Sequence, residues 1–381
     1  MLKHSVTVRY IYESVYTEVY IFPEGKVYTF CFFRGKHMTK RINTKILIPV
    51  LIICAVITLI LSIGLGPVSV SPITTAKILI SRIPFLGTFI PQTWEQLDYN
   101  IIIGLRLPRV LLGMVVGASL AVTGVTMQAL VRNKLADPFI LGVSSGASAF
   151  ATLGMLFGAF SFLGRYSLSL SAFIGSAVTI IFVYILSRRN GRINIAQMLL
   201  SGVAVSMIMD GFTNIITLSA PNALGLHNAS FWMSGSLAGA KLEYLTLPFA
   251  VLVCCMVVLM INYRGLNLLV LGDESAGTLG INVSRLQKLL ILVASLMSGV
   301  TIAISGSIGF VGLMIPHFTR LLVGGDHRKV LPVSALLGGI LVVWVDVLAR
   351  TVIAPEELPV GILTAVIGGP IFIWMLRRKQ R

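Results

Sequence analysis

Charged side chains are scarce in this chain. They make up 12% of its 381 residues, whereas an ordinary soluble domain contains about 25%. Hydrophobic residues account for 56%, and the mean hydropathy is +0.92. This composition excludes a soluble globular domain and predicts an integral membrane protein.

Sequence motifs of common catalytic sites are missing as well. The sequence has no phosphate-binding G-x-x-x-x-G-K-[ST] loop and no H-E-x-x-H zinc motif. Its four cysteines, Cys31, Cys54, Cys254 and Cys255, do not have metal-ligand spacing. We therefore expect a chain that is not itself an enzyme, that binds no metal ion or cofactor, and that depends on a partner for energy.

Apolar runs that can cross about 30 Å of hydrocarbon recur along the chain. Nine are close to full length, and a shorter one follows a glycine-spaced turn. The ten predicted spans are 46–66, 109–131, 138–158, 168–187, 195–218, 242–262, 287–304, 309–323, 331–353 and 359–376. The predicted fold is an all-α bundle of about ten transmembrane helices, in which closely spaced small residues such as Gly113 and Gly117 allow tight packing.

Basic residues outnumber acidic ones by 30 to 14, for a net charge of +16. If the N-terminus is inside, the inner loops and the C-terminal tail hold 15 Lys and Arg residues, against seven outside. This asymmetry follows the positive-inside rule and predicts that both termini are cytoplasmic. It also accounts for the charge without a nucleic-acid partner, for which the sequence carries no motif.

The first 43 residues differ from the rest of the chain. They are mixed polar and aromatic, lack the regions of a signal peptide and cannot span a bilayer. One interpretation is a small cytoplasmic extension. The other, which we favour, is that translation starts at Met38, where MTKRINTK precedes an apolar run. Under both interpretations the membrane domain covers residues 44–381.

A polar, helix-capable segment at 272–286 interrupts the apolar second half of the chain. Long structured loops usually carry contacts, so this segment is predicted to be a cytoplasmic docking surface. After an apolar run, a turn spaced by Gly306, Gly309 and Gly312 leads into GLMIPHFTR at 312–320.

These residues resemble the permease subunits of ABC importers for iron–siderophore complexes and vitamin B12, which have coupling helices and a GL-x-x-PH-x-x-R segment. The resemblance covers nearly all of residues 46–376. It implies the bundle of type II ABC importers in a bacterial cytoplasmic membrane, surrounded by lipid and paired in a dimer with a second copy or a similar chain. It also implies two cytoplasmic ATPase subunits and an external substrate-binding protein.

The resemblance gives two surfaces a role. Arg106, Arg109 and Arg350 are expected to receive carboxylates of the binding protein, because a guanidinium can hold a carboxylate with two hydrogen bonds. Snorkelling of these arginines to lipid headgroups is the alternative. Asp346 precedes Arg350 by four residues and is expected to orient it. The residues expected to couple to the ATPase are Asp273, Glu274, Ser275, Ala276, Gly277, Leu279 and Gly280.

The resemblance also implies a cytoplasmic gate in two loops. Its residues are Asn133 and Leu135 in RNKLADP, together with Ile195 and Ala196, which depart from the small hydroxyl residues of the B12 permease.

Three further groups of ionisable residues need an interpretation. Asp210 lies in the middle of the fifth span, where an unpaired charge costs about 3 kcal/mol or more. It must face a cavity, pair with a neighbour or be protonated, and we expect it to border the translocation path. His317 has no ligand-spaced partner, so a structural role is expected. Glu356 and Glu357 predict a solvated outer turn.

Two functions follow from these observations. The first is the permease of an ABC importer for an iron–siderophore complex, with vitamin B12 or haem as alternative substrates. The second is a secondary transporter driven by an ion gradient. The long inner loop, the outer arginines and the scarcity of mid-membrane charges favour the first, because a proton relay needs more residues like Asp210. The segment FWMSGSLAGAKLE at 231–243 resembles the iron–siderophore members.

Overall fold

The computed structural model describes three strands within residues 6–33 and the segments 43–68, 70–82, 91–189 and 192–378. The chain divides into two compact units, Met1–Arg41 and Ile42–Arg381. In the first unit, β1 (Val6–Tyr12), β2 (Val15–Ile21) and β3 (Val27–Phe33) form an antiparallel sheet in that order. Their β-branched and aromatic residues favour extended structure. Met38 lies outside the described residues, and a start there stays a prediction.

The second unit is built almost entirely from helices. In chain order these are α1 (Thr44–Gly64), α2 (Pro72–Ser81), α3 (Gln96–Tyr99), α4 (Leu107–Val131), α5 (Val143–Phe157), α6 (Ser167–Ser187), α7 (Ile195–Leu218), α8 (Ala223–Met233), α9 (Leu242–Ile261), α10 (Tyr263–Leu269), α11 (Asp273–Thr278), α12 (Val283–Ser305), α13 (Val311–Val323), α14 (His327–Ala349) and α15 (Val360–Arg378). A π-helix, Asn100–Arg106, joins α3 to α4. A short hairpin of β4 (Arg188–Arg189) and β5 (Arg192–Ile193) precedes α7.

The all-α membrane fold predicted from the apolar runs is confirmed. Within the described residues, seven helical segments are long and apolar enough to cross a membrane. Three shorter apolar helices, α5, α13 and the Val360–Trp374 part of α15, occupy the other predicted spans. The start of the span predicted at 138–158 was wrong by several residues. There a 3-10 turn, Pro138–Leu141, and the left-handed Gly142 (φ 75°) delay α5 until Val143.

Helix α4 is the central element of the second unit. It packs against α12, α13 and α14, and nearly all of its side chains are buried. A Cβ atom on Gly117 would overlap the carbonyl oxygen of Gly338 in α14, and Gly146 and Gly175 bring α5 and α6 together in the same way. Small residues permit this close approach where lipid provides no hydrophobic drive for association.

Helices α7 and α9 lie at the periphery of the unit. Only 17% of the most apolar 18-residue stretch of each helix is buried within the protein, and large side chains such as Leu200 and Ile261 are exposed. Apolar exposure on this scale is typical of a surface that lipid or another protein chain covers.

Candidate functional site

The candidate sites lie at the two ends of α4. Arg109 is in its first turn, and Arg132 directly follows its last residue. We refer to the end at Arg109 as the outer end and to the end at Arg132 as the inner end, following the orientation predicted from charge.

The three arginines predicted to dock a binding protein lie at the outer end, and all are buried. Their exposed fractions are 6% for Arg106, 8% for Arg109 and 2% for Arg350. The Nε and Nη2 atoms of Arg109 both lie 2.9 Å from Oδ1 of Asp346. Its Nη1 atom donates to both carboxylate oxygens of Glu357, at 2.9 and 2.8 Å. Arg109 is therefore held between two carboxylates of its own chain.

Asp346 serves two arginines at once. Its side chain is 1% exposed, and its Oδ2 atom lies 3.4 Å from Nε of Arg350, four residues further along the chain. The predicted proximity of Asp346 and Arg350, four residues apart along the chain, is confirmed. Arg350 also donates from Nη2 to the carbonyl of Ser62 in α1 at 2.9 Å. The cluster formed by Arg109, Asp346, Arg350 and Glu357, named here the outer ion cluster, thus joins α4, α14 and the segment before α15.

Arg106 has a different set of partners. Its Nη1 atom donates to the carbonyls of Ile63 and Gly64, each at 2.9 Å, and its Nη2 atom donates to the carbonyl of Val68. The last carbonyls of a helix have no partner within the helix, and a guanidinium can satisfy them. Arg106 therefore fastens the outer end of α1 to the start of α4.

These contacts correct two predictions. Snorkelling was wrong for the three arginines, because their charged groups are buried among protein atoms. The solvated turn was wrong for Glu357, whose side chain is 30% exposed and paired with Arg109, although it holds for Glu356, which is exposed. Nothing in local spacing links Arg109 and Glu357, which are 248 residues apart. Docking of a binding protein at these arginines stays a prediction.

The segment predicted to couple to an ATPase contains a separate short helix, α11, at the inner end. Gly272 (φ 117°) precedes it and Gly280 (φ 86°) follows it, and both have backbone angles that favour glycine. Two acidic residues in the first turn suit the positive end of a helix. The predicted coupling residues that are exposed are Asp273, Glu274, Ser275, Gly277, Leu279 and Gly280. Ala276 is fully buried, so its side chain is not available to a partner.

Helix α11 is attached to the bundle through Asp273. Its Oδ2 atom lies 2.7 Å from Nη2 of Arg132, at the end of α4. Gln287 of α12 donates from Nε2 to its Oδ1 atom at 3.4 Å. One exposed helix is therefore joined to both α4 and α12 by a single carboxylate.

The first predicted gate loop leaves α4 at Arg132, whose backbone is left-handed (φ 55°). Asn133 accepts from the backbone N–H of Leu135 at 3.0 Å, and Leu135 is 44% exposed. Asp137 accepts from the N–H of Phe139 at 2.8 Å. Burial raises the pKa of the Asp137 carboxyl to about 6.

In the second predicted gate loop, Asn194 caps α7 by accepting from the N–H of Gln197 at 3.0 Å. Ile195 is half-buried and Ala196 is exposed. The 3-10 turn Pro138–Leu141, which continues the first loop, packs against α7. The gate assignment of Asn133, Leu135, Ile195 and Ala196 stays a prediction.

Sequence reasoning missed a glutamine that organises the GL-x-x-PH-x-x-R segment. Gln128 in α4 accepts from Nη2 of Arg320. It donates from Nε2 to the carbonyls of Gly312 and Leu313, at 3.3 and 3.4 Å. One side chain therefore holds both ends of this segment against α4. In the sequence, the only indication of this role is that Gln128 places a polar amide inside an apolar run.

Asp210 lies on an exposed face of α7 near Met207 and Asn214, which are also exposed. Among the residues described here it has no hydrogen bond or ion pair. Of the three expected outcomes, pairing with a neighbour is not observed within the described part of the chain. Its role beside a translocation path stays a prediction, and α7 must then face the path from the bundle's periphery.

With this geometry established, comparisons with known proteins identify the family. The model of the FecCD transport family matches residues 53–378. This chain belongs to that family. The FecCD proteins it is similar to include the hemin transport system permease protein HmuU of Yersinia pestis, with 37% identity over 90% of this chain and 98% of that protein. The cobalamin import system permease protein BtuC of Halobacterium salinarum is 40% identical over 76% of each chain. The Fe(3+) dicitrate transport system permease protein FecD of Escherichia coli is 39% identical over 76% of this chain and 92% of that protein.

A solved structure of an inward-facing ABC transporter of the metal-chelate type is similar to most of this FecCD chain. Its TM-score is 0.76 at 31% identity, and the match covers 88% of this chain and 99% of that one. The predicted membership in a permease family of ABC importers is confirmed. The chain is a multi-pass membrane permease of the metal-chelate type, and its relatives are transport permease proteins.

Proposed function

We propose that this FecCD permease forms the translocation path for an iron–siderophore complex, driven by two cytoplasmic ATPase subunits and supplied by an external binding protein. The permease would work as a dimer with a second copy or a similar chain. It would lie in a bacterial cytoplasmic membrane with both termini inside. The exposed helix α11, attached to the bundle by Asp273, is the observation that carries this proposal.

The contacts of α4 give a physical route from an ATPase to the outer end. At the inner end, Arg132 contacts Asp273 of α11 at 2.7 Å. One turn further from the inner end, Gln128 forms hydrogen bonds with Gly312 and Arg320 of α13. At the outer end, Arg109 holds Asp346 of α14. Packed helices shift as units rather than bend continuously, so a push on α11 is expected to move α4 together with α13 and α14.

The coupling surface can be tested with exposed leucines. Leu279, beside α11, is 61% exposed, and Leu224, near the predicted outer end, is 71% exposed. We expect Leu279→Asp to weaken assembly with the ATPase and to reduce stimulated ATP hydrolysis at least tenfold, while Leu224→Asp leaves both unchanged. Both variants should insert normally, because neither side chain is buried. Unchanged hydrolysis with Leu279→Asp would rule out α11 as the coupling surface.

The iron–siderophore proposal rests on several of the relatives, which are named for chelated iron, although BtuC is named for cobalamin. FecD and HmuU are named for an iron(III) dicitrate and for hemin, both of which are chelated iron. A relative from Bacillus subtilis, 39% identical, is named as a probable siderophore permease. Haem is the second candidate, because the match to HmuU extends over 90% of this chain.

Reconstituted vesicles that contain the permease, its ATPase and its binding protein distinguish these substrates. We expect ATP-dependent uptake of a radiolabelled iron–siderophore complex and little uptake of haem or cyanocobalamin at equal concentration. Preferential uptake of haem would favour the second candidate. Preferential uptake of cyanocobalamin would contradict both iron proposals while leaving the importer assignment intact.

A further inference from the structure

A cleft of about 340 Å³ opens at the inner end, where the end of α9 and the start of α10 face the N-terminus of α12. We refer to it as the inner cleft. Its walls include the polar or basic residues Arg264, Asn282 and Arg285 and the apolar residues Ile261, Leu286 and Leu289. No acidic side chain is found among the described residues that line it.

The two guanidinium groups of the inner cleft are not neutralised by any acidic side chain that the structure describes. Arg264 donates from Nε to the hydroxyl of Tyr263 at 3.1 Å, but it has no acidic partner in the described chain. The Arg285 side chain has no hydrogen bond or ion pair with any described residue. Asn282 caps α12 by accepting from the backbone N–H of Arg285 at 3.0 Å. The positive end of this 23-residue helix therefore adds to the potential of the cleft.

An apolar surface continues from the inner cleft toward the middle of the bundle. On α9, exposed Val253 and Val257 lead at four-residue spacing to Ile261, which lines the cleft. On α12, exposed Leu292 and Leu296 extend the line that begins at the cleft with Leu289. Because α9 packs against α12, these residues form two neighbouring apolar ridges that start at a basic cleft.

We propose that the inner cleft binds the phosphodiester headgroup of an anionic phospholipid, with its acyl chains lying along the ridges of α9 and α12. A basic pocket between membrane helices near the cytoplasmic surface has the charge that such a headgroup requires. Free phosphate would satisfy the arginines but would make no contact with the apolar ridges that begin at the cleft. A bound lipid would contact Gly280, Ile281 and Asn282, which connect α11 to α12, so it would stabilise the position of α11.

The test uses the full chain purified in detergent and native mass spectrometry. The probes are dioleoylphosphatidylglycerol, dioleoylphosphatidylcholine with the same acyl chains, and inorganic phosphate. Arg264→Gln and Arg285→Gln remove one cleft charge each, and Arg285→Lys keeps the charge. Lys288→Gln is the matched control, because it removes an exposed charge from the first turns of the same helix outside the cleft.

We expect the wild-type chain to retain phosphatidylglycerol in preference to phosphatidylcholine. Each glutamine variant should lose about fivefold in apparent affinity, whereas Arg285→Lys and Lys288→Gln should stay within twofold of wild type. Equal losses for Lys288→Gln and Arg285→Gln would indicate general surface charge and overturn the site. Inorganic phosphate that binds the wild-type chain and displaces phosphatidylglycerol at equal concentration would overturn the lipid assignment. So would weaker assembly of the glutamine variants with the ATPase at unchanged lipid binding, which would make the cleft a protein-docking surface.

Discussion

The outer ion cluster allows a sharp test, because its two carboxylates differ in burial. Asp346 is 1% exposed and contacts both Arg109 and Arg350. Glu357 is 30% exposed and contacts Arg109 alone. The variants Asp346→Asn and Glu357→Gln each remove one negative charge and keep the size of the side chain. They therefore compare a buried, shared carboxylate with a partly solvated one.

The expected magnitudes follow from these contacts. Asp346→Asn leaves Arg350 buried with no acidic partner, and removal of one partner of a buried ion pair costs about 3–5 kcal/mol. Because Arg109 keeps Glu357, we expect the lower end of this range, about 3 kcal/mol. In Glu357→Gln, Arg109 keeps Asp346 and water screens the site, so about 1 kcal/mol or less is expected.

Thermal unfolding of the purified chain in one detergent provides the assay. We expect a clearly larger fall in Tm for Asp346→Asn than for Glu357→Gln. The double variant Asp346→Asn with Arg350→Met should recover part of the loss, because it also removes the unpaired buried charge. Equal falls in Tm for the two single variants, or a double variant no more stable than Asp346→Asn, would refute the proposed cluster energetics.

Three further predictions concern other elements. Gly117→Leu should destabilise the chain by about 3 kcal/mol or more, because its Cβ overlaps a backbone carbonyl of α14, whereas Gly239→Leu, which has open space around it, should not lower Tm. Burial of Asp137 raises its folded-state pKa to about 6, so the folded chain pays no cost for this carboxyl below about pH 4 and loses stability as pH rises through 6. Asp137→Asn should therefore be more stable than wild type at pH 7.5 by about 3 kcal/mol. A difference in Tm between Asp137→Asn and wild type that does not narrow between pH 7.5 and pH 5 would contradict this. Arg109→Glu should weaken binding-protein association and lower Tm, and a carboxylate-to-lysine change on the binding protein should restore the association but not Tm; failure to restore it would contradict docking at Arg109.

The sequence was sufficient for the existence of the membrane helices because each apolar run indicates its own approximate length, whereas exact ends such as the start of α5 depend on local turns. Glycine spacing likewise anticipated the close approach of α4 at Gly117. The i,i+4 spacing of Asp346 and Arg350 anticipated their contact, since both residues lie on one helix. These properties are local, so they can be derived without knowing which helices are neighbours.

The contacts between distant segments could not be derived in this way. The pairing of Arg109 with Glu357, and of Gln128 with Arg320, depends on how helices far apart in the chain pack. The burial of Ala276 within an otherwise exposed helix depends on the same packing. The burial of the outer arginines against carboxylates and carbonyls of their own chain depends on the same packing.

The assignment as an ABC importer permease is tested most directly by uptake into reconstituted vesicles. The chain is reconstituted alone, with the ATPase, and with both the ATPase and the binding protein, and uptake of the iron–siderophore complex is measured with ATP or with an imposed ion gradient. The account predicts uptake only when both partners and ATP are present. Uptake by the chain alone, driven by a proton or sodium gradient, would contradict it.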